Sequence, residues 1–292
     1  MFSKTQSYRT GPMRQVLCFL LIVSLIILPH QTYALMTPPD NLKTHAAFIT
    51  IDAYSGKILM GENYDKRIYP ASTTKLMTAM VMLDEIKKKD SLSQSTVVTV
   101  KQTVLDHVDK GLANYGLKAG QQYTINMLFH MMLMSSYGDA TYVLADKIFG
   151  SNNDCIKAMN KKVSSMGLSD THFDNIVGLD IGSGYNNIYS TAHDMVKIVK
   201  KAMGYTTVSS IAKKATYSIK QSDGTKGKVI ESSNHLYSTV SYDHDSYTVI
   251  GTKTGTTSAA GFVFAGTAED SHGHRIINFF QNGQKISFCC SP

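Results

Sequence analysis

The sequence predicts an α+β protein whose sheet is formed by strands from the two ends of the chain, with a helical lobe inserted between them. Three observations carry this. His45 to Ala53 and Ile58 to Gly61 are rich in β-formers and flank the turn signal Tyr54-Ser55-Gly56-Lys57. The middle of the chain places apolar residues at helical spacing. From Ala215 onward β-formers return in Tyr247 to Thr252, Phe262 to Gly266 and Ile276 to Phe280, with a turn at Glu269 to Gly273. With 292 residues, 43% of them hydrophobic and 17% charged, the chain can bury a sizeable core and does not read as disordered.

The first element is an export signal. Lys4, Arg9 and Arg14 precede Val16 to Leu28, a run of thirteen residues that is apolar except for Ser24. Thr32-Tyr33-Ala34 follows, with Leu35 next. The run is short for a membrane span and has the flanks of a cleaved signal peptide; an uncleaved N-terminal anchor is the alternative. The expected division is residues 1–34 as signal and residues 35–292 as a single domain. The body is expected outside the cytoplasm, secreted or at the cell envelope.

After the polar lead-in from Pro38 to Lys43, the first hairpin delivers the chain to Tyr69-Pro70 and a helix expected from Thr73 to about Ile86. Thr96 to Val100 reads as a strand, Val104 to Val108 as a short helix and Leu117-Lys118-Ala119-Gly120 as a turn. Thr124 caps a helix that runs through Met127, Leu128, Met131, Met132 and Met134, methionines that read as core filler. That helix stops at Ser135-Ser136-Tyr137-Gly138, and another starts near Asp139-Ala140 with Val143, Leu144 and Ile148 on one face. Asn153 or Asp154 opens the next, with Ile156, Met159, Val163 and Met166 inward and Gly167 as its stop. A loop rich in Gly, Asn and Asp spans Leu168 to Tyr189. Thr191-x-x-Asp194 is a capping-box pattern before Met195, Ile198, Val199 and Ala202.

Charge and cysteines narrow the function. The formal net charge is +7, and the N-terminal segment holds three of those charges without an acid, which leaves +4 on the body. That mild excess suits an anionic cell surface. No Lys/Arg-rich block with interleaved aromatics points to nucleic acid. Cys18, Cys155, Cys289 and Cys290 form neither a disulfide framework nor a metal spacing, and Cys155 reads as a small buried hydrophobe. His272-Gly273-His274 lacks a third ligand, and His107, His130 and His193 read as surface or core residues. No metal and no cofactor is expected, and a monomer suffices.

The chemistry starts at Ser72-x-x-Lys75. On a helix the two side chains share a face, one turn apart. An alcohol needs a base within hydrogen-bond reach, and a lysine serves only if desolvation or a nearby positive charge lowers its pKa. Alone, the pair also fits a helix N-cap beside a surface lysine. Two later pieces change the weighing: Ser136 in a break between helices, and Lys253-Thr254-Gly255 on a strand. In this order the three resemble the motifs of serine β-lactamases and penicillin-binding proteins.

The match extends to the D-alanyl-D-alanine carboxypeptidases of the low-molecular-mass penicillin-binding class. Pro70-Ala71-Ser72-Thr73-Thr74-Lys75-Leu76-Met77, Gly116-Leu117-Lys118-Ala119-Gly120 and Asp139-Ala140 resemble that family. So do Gly178-Leu179-Asp180 before Tyr189-Ser190-Thr191-Ala192, Asn234-His235-Leu236, and Gly251 to Gly255 followed by Ala259-Ala260-Gly261. The resemblance covers roughly Ala46 to Asn278. It implies the β-lactamase/transpeptidase-like fold and a substrate, a peptidoglycan stem peptide ending in D-Ala-D-Ala. It also implies acylation by β-lactam antibiotics. By position, Ser72 is the nucleophile, Lys75 the base and Ser136 the proton relay. Lys253 attracts the terminal carboxylate, which Thr254 or Thr256 hydrogen-bonds. The oxyanion sits between the N–H groups of Ser72 and Thr256, and Gly255 lets the substrate approach.

Two departures stand out. Gly138 occupies the place of the family's asparagine, which holds a substrate amide; losing such a contact costs about 2.7–4 kcal/mol in comparable sites, roughly 10²–10³ in rate. The sequence ends at Pro292 and Lys285 to Cys290 shows no amphipathic pattern, so the family's covering helix, second β-rich domain and amphipathic anchor are expected to be missing. An impaired or binding-only homologue is therefore the alternative. A serine β-lactamase is less favoured: Ser151 to Ile188 contains no glutamate, and Glu231 lies far beyond Ser136.

Overall fold

Strands from the two ends of the chain share one sheet. The computed structural model describes residues 46–180, 187–220, 226–234 and 247–282. The segment read as an export signal, with Cys18, the Pro38 to Lys43 lead-in, His235, Leu236 and the tail with Cys289 and Cys290 lie outside them. The chain divides after Leu35, and every described residue belongs to the second unit, Met36–Pro292. The elements begin with β1 (Ala46–Asp52), β2 (Ile58–Glu62), β3 (Arg67–Ile68), a 3-10 turn (Ala71–Thr74) and α1 (Lys75–Lys88). Next come β4 (Val97–Thr99), α2 (Gln102–Leu105), β5 (Gln122–Thr124), α3 (Ile125–Met134), α4 (Gly138–Phe149) and α5 (Asn152–Ser165). Then follow β6 (Ser190–Thr191), α6 (Ala192–Met203), α7 (Thr206–Ala212), β7 (Thr216–Lys220) and β8 (Lys226–Glu231). The chain closes the sheet with β9 (Tyr247–Thr257), β10 (Gly261–Asp270) and β11 (Arg275–Asn282).

The main sheet has the order β2-β1-β11-β10-β9, and each neighbouring pair is antiparallel. Register fixes which side chains share a face. Ile49 lies opposite Phe279, Phe279 opposite Ala265, and Ala265 opposite Lys253. The first three of that row are core residues. Strand alternation therefore aims Lys253 at the core, where an apolar residue would be expected.

The inserted segment is not a detached lobe. α6 packs on β1, β10 and β11, and α7 packs on β9. The helical core is organised around α1, which touches α3, α4, α5 and α6. From Lys75 to Leu83 every residue of α1 is buried, so the helix is enclosed on all sides, as a central helix is. Lys87 and Lys88 in its last turn complement the negative end of the helix.

The caps follow the sequence with small corrections. Thr124 accepts from Met127 N at 3.2 Å. Ser151, not Asn153 or Asp154, opens α5 by accepting from Asp154 N at 3.1 Å. Thr191 accepts from Asp194 N at 3.0 Å, but Asp194 turns its carboxylate to Thr171 and Lys197, so only half of the capping box forms. Cys155 is fully buried, and burial pushes its thiol up to about 12, which leaves it inert.

Two of the quoted motifs are one structural unit. The buried Asp139 carboxylate accepts from Tyr115 N (3.1 Å), Gly116 N (2.9 Å), Leu117 N (3.0 Å) and Ala140 N (2.9 Å). It staples the 115–117 loop to the start of α4, immediately after the Ser136 break. Charged hydrogen bonds contribute about 1.5–3 kcal/mol, and losing this acceptor leaves several N–H groups unpaired. Asp139→Ala is expected to lower the unfolding free energy by about 2–4 kcal/mol, read from the midpoint of urea denaturation; an unchanged midpoint would contradict this account of the staple.

Candidate active site

Ser72 does not cap a helix. It lies in the 3-10 turn Ala71–Thr74, and α1 begins only at Lys75. A 3-10 turn has three residues per turn, so side chains three apart eclipse more closely than on an α-helix. Ser72 Oγ accepts from Lys75 Nζ at 3.1 Å. Ala71, just before, adopts φ +46°, a conformation that L-residues rarely take and that clusters at functional sites.

Lys75 is fully buried and makes a second hydrogen bond, to the Val177 carbonyl at 3.0 Å. Burial holds its pKa well below the ordinary lysine value, and the charge of Lys253 lowers it further. Lys253 is also buried, donates to Thr254 O at 2.8 Å, and is pushed by burial down to about 7. No carboxylate pairs with either lysine among the described residues. Buried cations normally require such a partner, so this arrangement favours a neutral amine.

Gly255 brings β9 against the serine turn. A Cβ on Gly255 would lie 2.8 Å from Ser72 N and 3.0 Å from Ala71 Cβ, so no other residue fits without moving backbone. β9 is the terminal strand of its sheet, and Thr256 on it is exposed. Thr254 Oγ1 lies 2.6 Å from Ser233 Oγ.

Ser136 sits in the break between α3 and α4 with φ +62°. Its Oγ is buried and has no hydrogen-bond partner among the described residues. The break is tied to β9 through the segment after β8. Ser135 Oγ donates to Glu231 O at 2.8 Å, Ser233 N donates to Met134 O at 2.8 Å, and Ser233 then meets Thr254. Ser72, Lys75, Lys253 and Gly255 are thus in direct or electrostatic contact, and the residues before Ser136 are connected to Thr254 through Ser233.

Gly138 is filled in by a neighbour. Its N–H donates to Ala113 O at 2.7 Å, and a Cβ there would lie 2.5 Å from Leu112 Cδ1 and 3.0 Å from Leu112 Cβ. Any larger side chain at 138 requires Leu112 to swing away. Leu112 escaped the sequence reading because nothing marks a loop leucine that packs on a residue twenty-odd positions later. Asp180, quoted in the Gly178-Leu179-Asp180 motif without a role, accepts from Thr257 Oγ1 and from the N–H groups of Ala259 (3.1 Å) and Ala260 (3.2 Å), anchoring the end of β9.

His130 is buried, stacks on Tyr217 with ring centroids 3.7 Å apart, and has its Nε2 3.0 Å from Lys214 Nζ; burial pushes it down to about 4. His272 and His274 both face Asp270 at an exposed turn. Among the described residues no group of three or more His, Cys, Asp or Glu is placed to hold a metal ion.

A sequence profile of the D-alanyl-D-alanine carboxypeptidase family matches residues 34–283. The chain belongs to this family. Among curated relatives, DacB2 of Mycobacterium tuberculosis is 30% identical over 230 residues, covering 79% of this chain and 72% of that protein. DacF of Bacillus subtilis is 29% identical over 161 residues, covering 55% of this chain and 39% of that protein. The chain spans well under half the length of DacF and of the Escherichia coli protein DacA, 39% and 37%. The crystal structure of the Streptomyces K15 DD-transpeptidase superposes with a TM-score of 0.71 at 28% identity, covering 82% of this chain and 90% of that one. The α+β architecture read from the sequence is the one this family shares.

The lysines give the site a pH signature. Folded Lys253 releases its proton near pH 7, whereas the unfolded chain holds it to about 10.4. Between those values the unfolded state binds more protons, so stability rises with pH, by at most about 1.4 kcal/mol per pH unit for one group. Lys75 acts with the same sign. The urea midpoint is expected to rise from pH 7 to pH 9, and the rise to shrink in Lys253→Met. Equal pH slopes in the two proteins would contradict the burial account.

Proposed function

We propose that this protein is a serine D-Ala-D-Ala carboxypeptidase that trims the terminal D-alanine from peptidoglycan stem peptides. The observation that carries the reading is the Ser72 Oγ to Lys75 Nζ hydrogen bond of 3.1 Å, made by a lysine that is fully buried and unpaired with any described carboxylate. Family membership supplies the substrate class.

The proposed steps are these. A peptide extended along the edge of β9, the terminal strand of the sheet among the described residues, gains main-chain hydrogen bonds, as in strand addition. Lys253 and Thr254 or Thr256 receive its terminal carboxylate. Neutral Lys75 takes the proton of Ser72 as Oγ attacks the carbonyl carbon of the penultimate residue. The N–H groups of Ser72 and Thr256 receive the oxyanion. The C–N bond breaks, the proton passes through Ser136 to the leaving amine, and free D-alanine departs. Water then attacks the ester, with Lys75 again as base, and releases the shortened peptide. A penicillin acylates Ser72 by the same first step, through opening of its strained amide.

Leu112 beside Gly138 supports slower turnover than an asparagine would give, not loss of the nucleophile and its base. The binding-only reading gains nothing from the Ser72–Lys75 geometry. Glu231, the one candidate for a lactamase-type base, ends β8 with its side chain exposed, which does not favour that reading. The proposal includes action outside the cytoplasm at the cell wall, an N-terminal export signal and a monomeric state. No helix among the described residues is long and apolar enough to cross a membrane.

Incubation with a fluorescent penicillin and with a peptide ending in D-Ala-D-Ala tests the reading. The purified protein is expected to label covalently and to release D-alanine. Ser72→Ala is expected to lose both, and Lys75→Met to slow labelling by about 10²–10⁴. Folded protein that neither labels nor releases D-alanine would overturn the proposal.

A further inference from the structure

Lys75 owes its second hydrogen bond to a loop 102 residues away in sequence, and that loop is built around one side chain. Asn175 Oδ1 accepts from three successive N–H groups, Val177 (3.2 Å), Gly178 (2.7 Å) and Leu179 (3.1 Å). Its Nδ2 donates to Leu179 O at 2.8 Å and to Asp174 Oδ1 at 3.1 Å. A single buried amide thus satisfies the inward-facing groups of the turn, leaving the carbonyls of Ile176 and Val177 to point the other way. Both reach α1: Ile176 O accepts from Thr78 Oγ1 at 2.8 Å and Val177 O from Lys75 Nζ at 3.0 Å. Thr78 and Lys75 are one helical turn apart, so the loop lies along α1 as a two-point clamp.

The same loop also touches the serine turn. A Cβ on Gly178 would lie 1.8 Å from Ala71 O, and Gly178 has φ +86°. Asn175, Ile176, Val177 and Leu179 are all buried. The loop therefore forms part of the wall that keeps water from Lys75.

We propose that Asn175 is the positioning residue for Lys75: it shapes the 175–179 loop so that the Val177 carbonyl holds Nζ beside Ser72 Oγ and the loop backbone seals the amine from water. Its place in the chemistry rests on the proposed role of Lys75 as base. Among the described residues, Lys253 from β9 is the charged group that acts on Lys75. Asp174 faces Asn175, not the lysine.

The test needs a readout that bulk destabilisation would not move. In the full protein labelled with ¹³Cε-lysine, the Lys75 signal, assigned by its loss in Lys75→Met, is titrated in the parent and in Asn175→Ala. Opening the loop hydrates the amine, so the Lys75 midpoint is expected to move toward the ordinary lysine value by about one pH unit or more. The acylation rate by penicillin at pH 7 is expected to fall about 10²-fold, the scale of a small misplacement of a reacting group. Thr78→Val removes the neighbouring clamp point and is expected to shift the midpoint in the same direction by less. A folded Asn175→Ala whose Lys75 midpoint stays at the parent value overturns the inference. If that variant does not fold, an unmoved midpoint in Thr78→Val overturns it instead. A parent that never acylates sinks the proposed function, while the titration still decides the placement of Lys75.

Discussion

Two buried lysines without a carboxylate partner are the constraint on which this structure turns. Removing an ammonium group from water without pairing it is so unfavourable that the group gives up its proton instead. In the proposed reaction that outcome is useful, because only a neutral amine can accept the proton of Ser72. Burial disfavours the charged form of both lysines, and the charge of Lys253 lowers Lys75 further; in the proposed reaction Lys75 is the base and Lys253 meets the anionic substrate.

Holding two lysines in such a place requires separate parts of the fold to cooperate. Strand alternation aims Lys253 into the row of Ile49, Phe279 and Ala265. α1, buried on every side along its first half, carries Lys75 inward. Gly255 lets β9 lie against the serine turn, and Asp180 anchors the strand end beyond it. The Ser136 break is fastened on one side by Asp139 and on the other by Ser233. The left-handed backbone torsions at Ala71 and Ser136 are kept there by these surroundings.

Much of this was legible in the sequence, for reasons that can be named. The strands at the two ends and the Thr124 and Thr191 caps depend on local patterns, and the structure has them. Ser72 and Lys75 were legible as a pair because three residues is a contact distance on any helix-like turn. Their true setting, a 3-10 turn ahead of α1, was not, since no residue distinguishes it from a helix start. The contribution of Val177 was invisible because it is a backbone carbonyl, which carries no sequence signal. Gly138 was legible as a departure, but the reason it fits, Leu112 in the place of a side chain, depends on packing between distant segments. The sheet-covering role of α6 likewise depended on tertiary packing that its amphipathic pattern does not specify.

The most direct test of the central claim is the rate of Ser72 acylation by benzylpenicillin as a function of pH from 5 to 10, compared with Lys75→Arg. The account predicts a rate that rises with pH through a midpoint well below the ordinary lysine value of about 10.4, and a loss of at least about 10² in the arginine variant, which cannot deprotonate. A midpoint near 10.4, or an arginine variant that acylates at the parent rate, would contradict it.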